Sequence, residues 1–314
     1  MKRALVISLL VIIFGGIFVV HPAFAHNFVQ NSDASLIAKV QEFKVESKLI
    51  ANNISNNTLV QWHISKSQSY WGSNEIGVLS QKDSNLANQI SSSIDDLYSY
   101  ALQQNADPTT ANQKADAINS LLDKAEAEQV SSSSQNNATV EALATVGVLT
   151  EILKDYGDAI GSTVDLTNMN NMNMSDMSSS SSGMQGMSGM SSSGSGMQGM
   201  SGMSSTPIVN MAAYQSAQAL TDASQTMFSN LQSIAPSDTS VYLSKAGAAL
   251  SELKQKIDSK DTGMNVMTVV HMQIHPNLIS AFNIAAVPEF PIPILLVMVS
   301  FVGVIAMSRM FYKK

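Results

Sequence analysis

Residues 146–160 read VGVLTEILKDYGDAI. Val146, Leu149, Leu153, Tyr156 and Ile160 recur three and four positions apart, the spacing of one face of an α-helix and not the alternation of a strand. The same rhythm runs upstream through Leu36, Val40, Phe43 and Ile50, where Ser32 or Asp33 offers a cap, and through Leu86, Ile90, Leu97 and Tyr100. Downstream it returns in Leu220, Ala223, Met227 and Leu231, then in Leu243, Ala246, Leu250, Leu253 and Ile257. Breaks fall at Asn52 to Asn57, Ala106 to Pro108, Ser131 to Asn137 and Ser233 to Asp238. Each helix carries an apolar stripe and a Ser/Asn/Gln/Asp face, so the stripes must meet in a shared core. The expectation is an all-α fold, an extracytoplasmic helical bundle. About 200 helical residues suffice for one large bundle or two small ones, and periodicity does not choose between them.

Composition changes abruptly between Asn168 and Thr206. The segment is built from Met, Ser, Gly, Asn and Gln, and SGMQGMSGMSS occurs twice, at 182–192 and again at 195–205. Isolated apolar residues among Gly and Ser build no core, so a flexible, disordered insertion is expected here. Ten methionines lie in it: Met169, Met172, Met174, Met177, Met184, Met187, Met190, Met197, Met200 and Met203. Their MxxM and MxM spacing lets a curling chain bring several sulfurs to one ion. A thioether is soft, uncharged and unprotonated, and it prefers Cu(I) to zinc, magnesium or calcium. Two other readings stand beside this one: a low-complexity spacer expanded by repetition, and a sink for oxidants, since Met is reversibly oxidised to sulfoxide.

The chain ends predict location. Lys2 and Arg3, the apolar run Ala4 to Val20 and Ala23-Phe24-Ala25 have the order of a cleavable signal peptide, 1–25, with an uncleaved anchor helix as the alternative. At the other end Pro288-Glu289-Phe290-Pro291 precedes the apolar stretch Ile292 to Met307 and then Arg309, Lys313 and Lys314, a C-terminal transmembrane anchor with its basic end inside. Removing the five terminal basic residues and Glu289 leaves 12 basic against 23 acidic residues, a net charge of −11. Such a surface repels nucleic acid and concentrates cations. The chain has no cysteine, which excludes disulfides and thiolate metal sites. The organisation expected is signal peptide 1–25, helical part 26–162, Met-rich linker 163–206, helical part 207–287 and anchor 288–314.

Three further residues are candidate copper ligands. Cleavage after Ala25 makes His26 the first residue, whose amine and imidazole together chelate one copper ion. His271 and His275 have the spacing that puts two imidazoles one helical turn apart on one face, with Met264, Met267 and Met272 nearby in sequence. Pro276 is expected to end that helix, which leaves open that His275 is a last-turn residue favoured by the helix dipole. His63, between Trp62 and Tyr70-Trp71, reads as a packed interior histidine, of interest as a ligand only if the fold brings it beside His271. The acidic pairs Asp95-Asp96, Asp155 with Asp158 and Glu126 with Glu128 read as solvated helix faces. No phosphate loop, nucleophile elbow or H-E-x-x-H run is present, so no enzyme is expected.

Two resemblances add to these readings. The order of Pro288-Glu289-Phe290, apolar helix and basic cluster resembles the PEF-type C-terminal sorting signals of archaeal surface proteins. That implies a membrane enzyme that cuts near the motif and exchanges the tail for a lipid; a plain transmembrane helix is the alternative. The methionine spacing resembles the motifs of extracellular copper transporters and copper-resistance proteins. More weakly, residues 70–76 (YWGSNEI), 79–83 (LSQKD), 119–126 (NSLLDKAE) and 153–159 (LKDYGDA) look like the extracytoplasmic helical domains attached to FTR1-type iron permeases. The permease helices and their acidic motif are missing, so this implies metal uptake without transport. The leading expectation is a surface-anchored protein that captures, buffers or delivers Cu(I), partnered with the cell membrane and a copper- or iron-handling membrane protein. A cell-envelope structural or interaction module, with the Met-rich segment as spacer, and an iron-uptake accessory binding Fe(III) at carboxylates are the alternatives.

Overall fold

Asn and Asp side chains set where the helices begin. In the computed structural model, which describes residues 26–28, 31–168, 205–284 and 286–288, Asn31, Asn56, Asp83, Asp107, Asn137 and Asn210 each accept a backbone N–H at a helix start. The helices they open are α1 (Ser32–Asn52), α2 (Asn57–Tyr70), α4 (Ser84–Ala101), α5 (Pro108–Gln129), α6 (Ala138–Ile160) and α7 (Met211–Ile234). A short α3 (Ser73–Ser80) lies between α2 and α4, and α8 (Ser240–Asp258), α9 (Gly263–Val269) and α10 (His275–Phe282) follow. The described body is all-α as expected; its only strands, among the described residues, are the three-residue β1 (His26–Phe28) and β2 (Ala286–Pro288), which pair with each other. The four sequence breaks all separate helices, and three more among the described residues, at 71–72, 81–83 and 259–262, were not legible from periodicity. The expected Ser32 or Asp33 cap is corrected to Asn31: Ser32 is already helical, and Asp33 accepts instead from the Ser131 backbone and hydroxyl.

The signal peptide, the ten methionines and the tail beyond Pro288 lie outside the described residues, as does the His26 side chain. No described helix is long and apolar enough to cross a membrane.

The described residues between 28 and 287 form one compact unit with two apolar cores. One gathers α2, α3, α4 and α5 around Phe43, Ile90, Leu97, Ile118 and Leu122. The other gathers α6, α7, α8, α9 and α10 around Leu149, Leu153, Tyr156, Leu220 and Leu253. Helix α1 belongs to both: Ala34, Ile37 and Ala38 enter the second core, and Val40, Phe43, Ile50 and Ala51 the first. The helices before and after the Met-rich segment therefore share a core, with α6 against α7, and α1 is the common wall of two adjoining bundles.

That wall is close to α6. A Cβ built on Gly147 would stand 3.0 Å from the Ala38 Cβ, so only glycine lets the two backbones approach. A bulky side chain there forces the helices apart across a packed core, and Gly147→Leu should destabilise the fold by about 1–3 kcal/mol or more. Equilibrium urea unfolding measures this; an unchanged midpoint would mean that the crossing is loose.

Candidate functional site

The Met-rich segment leaves and re-enters the fold at one end of the second core. Helix α6 stops at Gly161, whose φ of +63° is the left-handed cap that glycine adopts without strain. Leu166 then folds back into the core, 5% exposed, against Gly157 and Gly263. On the return, the Thr206 N–H donates to the Lys260 carbonyl at 2.7 Å and the Val209 N–H to the Ala159 carbonyl at 2.8 Å. Tyr156 ties the same end together by donating to the Asp261 carbonyl at 2.5 Å.

His271 and His275 are built into this end. Both are buried, at 4% and 2% exposure, with ring centroids 5.2 Å apart and planes nearly perpendicular. Their common face arises by a route other than the one expected. Pro276 does not end the helix: Val270–Ile274 is a π-turn, in which the His275 N–H reaches back to the Val270 carbonyl, and α10 continues through Pro276 to Phe282. The extra residue in the turn resets the register, so the missing proline N–H falls in the first turn of α10, where no partner is needed. The last-turn reading of His275 is therefore corrected; it opens a helical segment. His271 Nε2 lies 3.1 Å from the Leu166 carbonyl. A carbonyl only accepts, so Nε2 carries a proton. A backbone carbonyl on the second nitrogen is the usual way in which a ligating imidazole is oriented. Met267 is buried beside this pair in sequence, Met264 half-buried and Met272 exposed.

A second set of polar groups lies deep between α1, α2, α6 and α7. Glu46 and His63 are fully buried and 2.7 Å apart, Glu46 Oε2 to His63 Nδ1. Ser216 donates to the other Glu46 oxygen at 2.6 Å, and His63 Nε2 meets Gln215 Oε1 at 3.2 Å. Beside them the Lys66 ammonium bridges Glu151 at 2.6 Å and Asp155 at 2.5 Å, and Tyr70 and Lys154 also donate to Glu151. Asp155 is wholly buried, and its Oδ2 has no hydrogen-bond partner. Burial, with Glu151 and Glu46 nearby, pushes its pKa up to about 8 against the pull of Lys66. Glu42, almost as buried, is raised to about 8 by burial and then by Glu151. Glu151 is held below the ordinary range: burial opposes this, but Lys66 and Lys154 outweigh it.

The reading of Asp155 and Asp158 as a solvated face is thus half wrong: Asp158 is exposed and Asp155 lies in the interior. Glu126 is partly withdrawn too, and burial lifts it to about 7, whereas Glu128, Asp95 and Asp96 are exposed. His63 is interior as expected and is held by Glu46, not brought beside His271. The signal for this cluster was available: Glu42 with Glu46, and Glu151 with Asp155, are i,i+4 pairs set within apolar stripes, where a carboxylate needs a partner. Among the described residues no three His, Asp or Glu side chains converge as metal ligands. Comparison with protein-family models, with curated proteins and with solved structures returns no match.

Proposed function

We propose that the chain is a copper-binding protein anchored at the outer face of the cell membrane, whose methionines 169–203 capture Cu(I) and buffer it or hand it on. The observation that carries this reading is the bond from His271 to the carbonyl of Leu166, three residues before Met169. It sets an oriented imidazole, with His275 5.2 Å away, at the base of a thioether-rich chain. Sulfur and imidazole are both Cu(I) donors, so ions gathered by the arm meet nitrogen ligands at its root. The acidic ectodomain raises the local cation concentration around them.

Titration of the purified protein with Cu(I) against a competing chelator tests this. Replacing the ten methionines by serine should weaken binding by about a hundredfold or more, with the helical signal unchanged, because hydroxyls are poor ligands for a soft ion. Equal affinity of the two proteins would instead make the segment a spacer and the chain an envelope interaction module.

A further inference from the structure

Away from the arm, where the C-terminal half of α7 meets the first turns of α8, a groove of ≈ 730 Å³ opens between the two helices. That lies within the range of about 300–1,000 Å³ typical of ligand clefts. None of the described residues lining it is charged, although the chain as a whole is acidic. Its floor is apolar, from Phe228, Leu243 and Leu250, and its walls carry hydroxyls and the amides of Gln225 and Gln232. Gly247 holds the floor low: a Cβ there would stand 3.0 Å from the Phe228 ring.

Three of the six lining hydroxyls are oriented. Ser229 donates its proton to the Gln225 carbonyl, Thr239 to that of Pro236 and Ser251 to that of Gly247. With those protons committed to backbone, the three oxygens present only lone pairs to a ligand. An anion finds neither a cation nor a spare hydroxyl proton at these positions. A polyol, whose hydroxyls both donate and accept, can donate to these oxygens, accept from the Gln225 and Gln232 amides and lay its C–H face on the apolar floor.

We infer that the α7–α8 groove is a binding site for a neutral oligosaccharide, independent of copper. The test is calorimetric titration of the intact protein with maltohexaose, cellohexaose, chitohexaose and mannohexaose, with hexagalacturonate and a neutral Gly/Ser peptide as comparators. At least one neutral sugar should bind saturably and more tightly than either comparator. Ser244 is exposed and lines the groove, so Ser244→Trp should fill it without disturbing the core, weakening that binding about tenfold or more at an unchanged melting temperature. Ser244→Ala should bind as the native protein does. The assignment is overturned if none of the four sugars binds, if Ser244→Trp binds equally well, or if the peptide or the anionic sugar binds best.

Discussion

Replacing Lys66 by methionine should destabilise the folded chain by about 3–5 kcal/mol, the cost of leaving buried carboxylates without their counter-ion. The Lys66 side chain is only 17% exposed and touches Glu151 and Asp155 at 2.6 and 2.5 Å; Asp155 has no other partner. The ammonium also stands 5.5 Å from the Tyr70 ring and 5.8 Å from that of Trp62, so its removal takes away cation–π attraction as well. Methionine keeps the length and apolar body of the stem, which confines the loss to the charge. Lys154 is the internal control: it pairs with the same Glu151 but is 55% exposed, and Lys154→Met should cost no more than about 1 kcal/mol. Urea unfolding of both variants, and of Lys66→Met combined with Asp155→Asn and Glu151→Gln, measures the coupling. The triple variant should recover most of the loss; if Lys66→Met alone is neutral, the three groups do not form a unit.

Lys66 and its carboxylates lie far apart in sequence, and helical periodicity does not pair them. Periodicity located the helices because each break carries chemistry that stops one helix and caps the next, as at Asn56, Asp107 and Asn137. It did not reveal that α1 serves two cores. A helix buried on several sides spreads its apolar residues around the axis, and the periodic set Leu36, Val40, Phe43 and Ile50 leaves out Ala34 and Ala38. Pro276 misled because local chemistry says that proline ends a helix, while a π-turn one residue earlier absorbs it. Asp155 misled because it was read together with Asp158, which is exposed, while its partner Lys66 is 89 positions away on α2. Of the candidate site, the spacing put His271 and His275 close together, but it did not reveal the π-turn through which they meet. Nor did it reveal the contact with Leu166, which depends on the chain folding back after Gly161.

The same interior predicts an unusual dependence of stability on pH. Glu42 and Asp155 rise from ordinary values of 4.5 and 3.8 to about 8 in the folded chain, and Glu126 rises from 4.5 to about 7, in each case mainly through burial. In the unfolded chain these groups have lost their protons by about pH 5, so above that point the folded state binds more protons and stability falls as pH rises. The contribution is fully present below the unfolded values and is lost progressively up to about 8, at a few kcal/mol or so for each deeply buried group. The opposite limb comes from Glu75, Glu151, Asp33 and Asp261, whose pKa values the fold lowers. Their stabilisation is present above the ordinary carboxylate range and is lost as pH falls through it. Stability should therefore peak in mild acid and decline from pH 5 to pH 8, where most cytosolic domains are flat or rising. Glu42→Gln separates the causes. It removes one of the two carboxyls raised to about 8 while leaving the Lys66 bridge in place, so the variant should be nearly as stable as the native chain in mild acid and more stable at pH 8. Thermal unfolding across pH 4.5–8.5 decides the matter: a native curve that is level over that interval, or a Glu42→Gln curve parallel to it, would mean that the buried carboxylates keep their charge.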